Sequence, residues 1–288
     1  MSKKILSERI NFYSNFKKNP NLIANNEILY KFSITDKELS DIKISIKELI
    51  LNNLKIYFKK KILVKSSEKN YLYKYKKHII KLPNITPGGL IQPRKEIAQY
   101  YNKVHKKLIT ILKSKKIIKE FQSCSRINIR FKDGVKINKF RKYSTFKPHS
   151  DSWNGHTVSS IFMLGIEGDV SNNTVQYFKP IKFKNSFLET MKSFNQGKKT
   201  YQGKKYLGKL EKNQIVILDQ LCLHKTDILN LNPRISIDFA INLKKAFKSK
   251  MIFKKNINKY RYSKLKNWVK INHLKLPEAK ISLFDKIT

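Results

Sequence analysis

Glycine, proline, cysteine, arginine and acidic residues are all scarce in this 288-residue chain. Nine Gly and eight Pro are too few for a fibrous repeat or a low-complexity linker array. Cys124 and Cys222 stand alone, in neither a CxxC pair nor a His-spaced zinc pattern. That excludes a disulfide scaffold and a zinc ribbon and leaves two buried thiols as the expectation. No stretch approaches 18 uncharged apolar residues, and no apolar run follows Lys3 and Lys4. A soluble, cytoplasmic protein without a spanning helix or secretory leader is therefore expected.

Only 20 acids face 62 Lys and Arg, a formal charge of +42, which ordinarily points to a polyanionic partner. Arginine, the residue suited to bidentate phosphate and base contacts, supplies only seven of those cations. The rest are lysines spread along the whole chain. Lys, Ile, Asn, Phe and Tyr together exceed half of the residues, the imprint of A+T-rich codons. The charge is accordingly read as compositional, with unspecific polyanion adhesion as its consequence. The alternative is a nucleic-acid-binding or nucleic-acid-modifying protein using the basic surface.

A 40% hydrophobic fraction and 31 Phe plus Tyr are enough for a sizeable core, and the length fits one elaborated domain. Residues 1–118 read as a mainly helical N-terminal extension. Thr35, with Glu38 at the reach-back position, starts a helix to about Lys60 whose stripe is Leu39, Ile42, Ile46, Leu49, Ile50 and Leu54. After a connecting loop over 83–93, Pro93 opens a second helix with Ile97, Tyr101, Val104, Leu108 and Ile111 on one face. His78, His105 and His273 read as satisfied surface or core residues.

From about residue 121 the period changes. Residues 126–131 and 235–243 alternate, and 158–166 and 214–223 are short apolar runs, with turn-forming clusters between them. Residues 119–247 thus read as a β-sandwich or jelly roll, whose strand ends meet at a mouth able to hold a metal. Residues 248–288 form a basic C-terminal extension, partly helical around 260–272.

His149 and Asp151 are two residues apart, which on a strand points both side chains to one face, as joint metal ligation requires. His224 closes the apolar strand 214–223, Arg234 follows ten residues later and Ser236 lies two beyond it on the same face. Chance gives about 0.2 His-x-Asp triplets and about 0.1 of the His-to-Arg offset in such a chain, so their joint occurrence carries weight. The strand ending at His224 is expected to pair with the one starting near Arg234 through a turn at 230–233, bringing both to one cavity.

This pattern, HSD, a long gap, then HKTDILNLNPRIS, resembles the Fe(II)/2-oxoglutarate-dependent dioxygenases over roughly residues 119–247. The stretch KNQIVILDQLCLH is similar to the penultimate strand of the phytanoyl-CoA dioxygenase-like branch, although Lys212-Asn213 stands where that branch shows Gly-Asp. A Lys-rich segment between Phe178 and Glu211 also replaces that branch's usual turn.

The resemblance implies an α+β protein with a double-stranded β-helix core, a cupin-like jelly roll with N-terminal helices packed on it. It further implies a hydroxylase of a small molecule, using Fe(II), O₂ and 2-oxoglutarate and releasing succinate and CO₂. His149, Asp151 and His224 would hold the iron, and Arg234 with Ser236 the co-substrate carboxylate. Two imidazoles and one carboxylate suit Fe(II) and leave positions open, and a guanidinium fork matches a carboxylate. Arg141 and Tyr143 are candidates for reaching the co-substrate or substrate, with strand-face residues as the bland reading. Trp153, Asn154 and His156, just after the metal pair, serve substrate contact or loop packing alike. Asp219 is expected to make a structural hydrogen bond.

Overall fold

The computed structural model describes residues 22–26, 28–59, 63–135, 145–156, 159–172, 174–227, 230–244 and 262–270. Near the N-terminus it also describes residues 7, 9, 16, 18 and 19. Arg141, Tyr143 and His273 lie outside the described residues.

Two antiparallel sheets and a layer of helices build the chain. The large sheet contains β1 (Leu22–Asn26), β2 (Leu29–Ser33), β9 (Gln214–Leu218), β6 (Ser160–Gly168) and β11 (Arg234–Leu243) in that order. The far edge of β11 is shared by β5 (Asn128–Lys132) along its first half and β4 (Phe121–Ser125) along its second. The two-residue strand β3 (Leu90–Ile91) extends β5, and β12 (Tyr262–Lys264) extends β4. The small sheet is β10 (Leu223–Thr226), β7 (Val175–Phe183) and β8 (Tyr201–Lys209). Residues 22–33, part of the expected helical extension, instead supply two strands that join the large sheet through β9.

Side-chain alternation explains the layering. In β11, Ile235, Ile237, Phe239, Ile241 and Leu243 pack against the helices, while Arg234, Ser236, Asp238 and Ala240 face the other way, toward the small sheet. In β5, Ile129 and Phe131 join the helical side and leave Asn128, Arg130 and Lys132 on the inner face. β6 and β9 are covered on both sides, so they read as unbroken apolar runs: Phe162, Leu164, Ile215 and Ile217 meet helices, and Ile161, Met163, Val216 and Leu218 meet the small sheet.

Helix α1 (Asp36–Phe58) begins at Thr35, whose hydroxyl accepts from the Glu38 amide at 3.1 Å while the Glu38 carboxylate accepts from the Thr35 amide at 2.9 Å. Helix α2 (Ala98–Ser114) follows a 3₁₀ turn over Lys95–Ile97, and both apolar stripes predicted for these helices are buried against the large sheet. The five-residue helix α3 (Phe194–Lys198) lies between β7 and β8, within the Lys-rich segment noted in the sequence. Helix α4 (Leu265–Val269) fixes Trp268 on Phe239, with ring centroids 5.2 Å apart. No helix among the described residues is long and apolar enough to cross a membrane.

Candidate metal centre

The apolar run 214–223 does not continue to His224 as one strand. At Asp219 the chain turns, because the carboxylate accepts from the Leu221 amide at 2.8 Å and pairs with Arg9 Nε at 2.6 and 2.7 Å. Arg9 and Asp219 are 1% and 0% exposed. The chain crosses to the small sheet, and His224 lies in β10, opposite Tyr177 of β7. The expected pairing of the His224 and Arg234 strands is thus replaced by a meeting of two sheets, and the cavity forms between them.

His149 reaches the same place by backbone pairing. Its amide donates to the His224 carbonyl at 3.0 Å, and the His224 amide donates back to the His149 carbonyl at 2.8 Å. Asp151 is not on a strand; it opens a 3₁₀ turn over Asp151–Asn154, capped by Ser150, whose hydroxyl accepts from the Ser152 amide at 3.1 Å. That hydroxyl also donates to the Gln220 carbonyl at 2.6 Å, tying the His-x-Asp segment to the turn before His224.

The three side chains converge. One donor atom from each of His149, Asp151 and His224 lies within 4.8 Å of the others. Asp151 carboxylate oxygens are 3.9 Å from His149 Nε2 and 3.8 Å from His224 Nε2. His149 Nδ1 donates to the Lys147 carbonyl at 2.8 Å, which leaves the Nε2 lone pair facing the cluster. The Phe194 ring stacks on the His149 imidazole at 4.2 Å and 18°. Burial pushes the His149 imidazole down to about 3 and the His224 imidazole down to about 4. Both are therefore neutral at neutral pH, the form that binds a metal.

Arg234 and Ser236 line the same cleft, together with Arg130, Lys132, Asp238 and Thr226. Arg234 is 2% exposed. One guanidinium nitrogen donates to the Ser236 hydroxyl at 2.9 Å, while Nε has no hydrogen-bond partner among the described residues. Burial pulls its pKa down to about 10, so it stays charged. Neither acid near it in sequence answers that charge: Asp238 is held by Arg130 and Asn128, and Asp227 by Lys225 and Gln176. A cation so buried and so poorly answered is costly unless a ligand completes it. The Arg234 Nε, without a partner among the described residues, and the two-imidazole, one-carboxylate donor set fit a carboxylate ligand and a divalent metal.

Trp153, Asn154 and His156 are not part of the cleft wall. Trp153 is a core residue: wholly buried, its indole donates to the Phe187 carbonyl at 2.7 Å. Its ring fills the space at Gly197, where an added Cβ would lie 2.2 Å from it. His156 Nδ1 is 2.7 Å from the Tyr262 hydroxyl. Asp219 does make the structural contact expected of it. Arg9, Ser150, Gln220 and Phe194 escaped the sequence reading, because their link to the ligands depends on contacts made across the fold. Arg130 and Lys132 were visible only as the polar positions of an alternating strand.

No protein-family model matches the chain, and no curated protein matches it in sequence. Among solved structures it is similar to SnoK, a non-heme α-ketoglutarate-dependent carbocyclase from nogalamycin biosynthesis, at 8% identity and a TM-score of 0.45, over 82% of this chain and 84% of that one. It is also similar to the epimerase SnoN of the same biosynthesis, at 7% identity and a TM-score of 0.41, over 83% of both chains. AviO1 from Streptomyces viridochromogenes is similar at 10% identity and a TM-score of 0.41, over 83% of this chain and 96% of that one.

Proposed function

We propose that this protein is an Fe(II)- and 2-oxoglutarate-dependent oxygenase that oxidises, by hydroxylation, a small-molecule substrate, with succinate and CO₂ as co-products. One observation carries the assignment: a single cleft holds a His-Asp-His cluster within 4.8 Å and, in its wall, a buried guanidinium whose Nε has no hydrogen-bond partner among the described residues. The motif spacing and the stretch KNQIVILDQLCLH, as a sequence pattern, support a place nearest the phytanoyl-CoA dioxygenase-like branch.

When bound, iron, 2-oxoglutarate and O₂ would supply the oxidising power for attack on an unactivated C–H bond. The protein's part is positioning and electrostatics. His149 and His224 offer neutral nitrogens, and Asp151 supplies one negative charge, so these three residues would hold the metal and would leave room for small molecules. The Lys147 carbonyl fixes the His149 tautomer, and Phe194 fixes the ring plane. The Arg234 fork would grip the far carboxylate of 2-oxoglutarate, with the Ser236 hydroxyl beside it. Met163, Val175 and Leu210 supply the apolar part of the wall, which keeps water from competing for that pair.

The test is reconstitution with Fe(II) and 2-oxoglutarate, followed by exposure to air. Succinate release that depends on both additions, and that rises with one member of a substrate screen, is expected. Iron-independent loss of 2-oxoglutarate, or none at all with the whole screen, contradicts the assignment.

A further inference from the structure

His156 and Tyr262 lie outside the cleft wall, yet a short series of contacts joins them to the turn that bears Asp151. The His156 amide donates to the Asp151 carbonyl at 3.1 Å and the Gly155 amide to the Ser152 carbonyl at 2.9 Å, so the turn that opens at Asp151 closes on His156. Gly155 permits this closure, because its φ of +93° lies in the left-handed region. His156 Nδ1 then meets the Tyr262 hydroxyl at 2.7 Å, with the two rings edge to face at 80°.

Tyr262 is itself firmly placed. β12 pairs with β4 and sets Tyr262 opposite Ser125. The Ser125 carbonyl accepts from the Trp268 indole at 2.9 Å, and the Ser125 hydroxyl accepts from the Ala240 amide at 2.9 Å. The segment 262–270 is thereby fixed to β11, the strand that carries Arg234 and Ser236. From the other side, the Ser159 hydroxyl donates to the His156 carbonyl at 3.2 Å and accepts from the Gln220 side-chain amide at 3.3 Å. Gln220 also holds Ser150 through its own carbonyl. The ligand turn is therefore tied at both ends, at Ser150 by the approach to His224 and at His156 by Tyr262.

This matters because the Asp151 side chain has little else to fix it. It is a quarter exposed, and among the described residues its carboxylate meets only the two ligand imidazoles, at 3.8 and 3.9 Å. His149, by contrast, has the Lys147 carbonyl on one nitrogen and Phe194 on its face. Metal ligands are oriented by neighbours that are not ligands, and for Asp151 the backbone of its turn does that work. On the oxygenase assignment above, on which this step rests, we infer that Tyr262 is a positioning residue for the metal centre. Acting through His156, it fixes the turn that presents the Asp151 carboxylate to the metal.

Two conservative variants test this. Tyr262→Phe keeps the ring and removes only the hydroxyl; His156→Phe keeps a ring and the backbone amide and removes the ring nitrogens. The full chain is titrated anaerobically with Fe(II) as wild type, as each single variant and as the double variant. Bound iron and, with 2-oxoglutarate present, the position of the metal-to-ligand charge-transfer band are read, and thermal unfolding of the metal-free proteins is followed in parallel. Tyr262→Phe is expected to weaken iron binding roughly tenfold, the low end for losing a contact outside the ligand set, and to shift the band. His156→Phe should do the same, and the double variant should lose no more than either single one, as for two residues that act through one contact. Iron affinity and band unchanged in Tyr262→Phe overturn the inference whatever happens to the unfolding midpoint, since a merely structural role moves only the latter. Losses that add in the double variant overturn it too. If Tyr262→Phe does not fold, His156→Phe decides by the same readouts. In each of these cases the metal assignment stands, because wild type binds iron; a wild type that takes up none contradicts that assignment, and the inference falls with it.

Discussion

Arg234 concentrates the chemistry of the cleft in one side chain. Its guanidinium is buried, stays charged despite desolvation, and donates to the Ser236 hydroxyl while its Nε has no partner among the described residues. Arg234→Gln is expected to weaken 2-oxoglutarate binding about thirty-fold or more, because losing a charge-assisted pair to a buried carboxylate costs roughly 2 to 5 kcal/mol. Iron affinity should change little, and calorimetry of each ligand separates the two. His105 shows the opposite use of burial. It is wholly buried, neither ring nitrogen has a hydrogen-bond partner among the described residues, and it lies 4.3 Å from the Trp268 ring. The expectation of a satisfied histidine fails here, because its neighbours are apolar. Burial pushes its pKa down to about 4. In the unfolded chain the pKa is near 6.5, so between these values the unfolded state binds the extra proton and stability falls as pH falls. The loss is about 3 kcal/mol in all, complete below about pH 4 and absent above about pH 7. His105→Phe should remove this slope from a series of chemical-denaturation curves; an unchanged slope contradicts the assignment. His149, Asp151, His224, Arg234 and Ser236 were legible from spacing and residue type. Lys132 and Phe194 were not, since a polar strand position and a lone Phe carry no signal until their neighbours are known.

The elements that carry the ligands are held by a latch at some distance from the metal. β9 ends and β10 begins around Asp219, and the partner that stabilises that turn, Arg9, is 210 residues away in sequence. Removing one member of a buried ion pair leaves the other uncompensated, at about 3 to 5 kcal/mol. Arg9→Met and Asp219→Asn are each expected to destabilise the protein by that amount in denaturant titrations and to loosen iron binding through the Gln220 to Ser150 contact. The double variant Arg9→Met, Asp219→Leu should recover most of the stability. Equal stability of single variants and wild type would refute the latch. α3 is held in a second way, since Gly197 leaves room for Trp153 and thereby presents Phe194 to His149. Gly197→Ala forces the ring aside and should cost roughly 1 to 3 kcal/mol, read as a lower midpoint of unfolding. Periodicity revealed α1, α2 and the four strands β5, β6, β9 and β11, because each buries a continuous face. It misassigned the run 214–223, where an acid inside an apolar stretch marked a crossing between sheets. The strands of residues 22–33 were hidden as well, since two short pairing segments have no period distinct from a helical region.

Across the whole molecule, the jelly-roll layering was legible from alternation. A strand such as NIRFK, with Asn128, Arg130 and Lys132 on one face and Ile129 and Phe131 on the other, fits a sheet with one packed and one polar face. The +42 charge plays a different part. Lysine is spread along the chain, so adhesion to nucleic acid should be unspecific and governed by counterion release, with a log-log salt slope of about −0.9 per phosphate contacted on duplex DNA. Competition among DNA and RNA oligonucleotides is expected to show no preferred sequence or structure and weak binding near physiological salt. Sub-micromolar binding with one clear preference under those conditions would turn the basic surface into a recognition site.

The cluster of His149, Asp151 and His224 as a metal site is the claim on which the rest depends, and an anaerobic Fe(II) titration of wild type and His224→Ala tests it most directly. Wild type is expected to take up one equivalent of iron and, on addition of 2-oxoglutarate, to develop a metal-to-ligand charge-transfer band. His224→Ala should keep its circular dichroism and lose both the stoichiometric iron and the band. A folded His224→Ala variant that still binds one equivalent of iron and develops the same band would contradict the site.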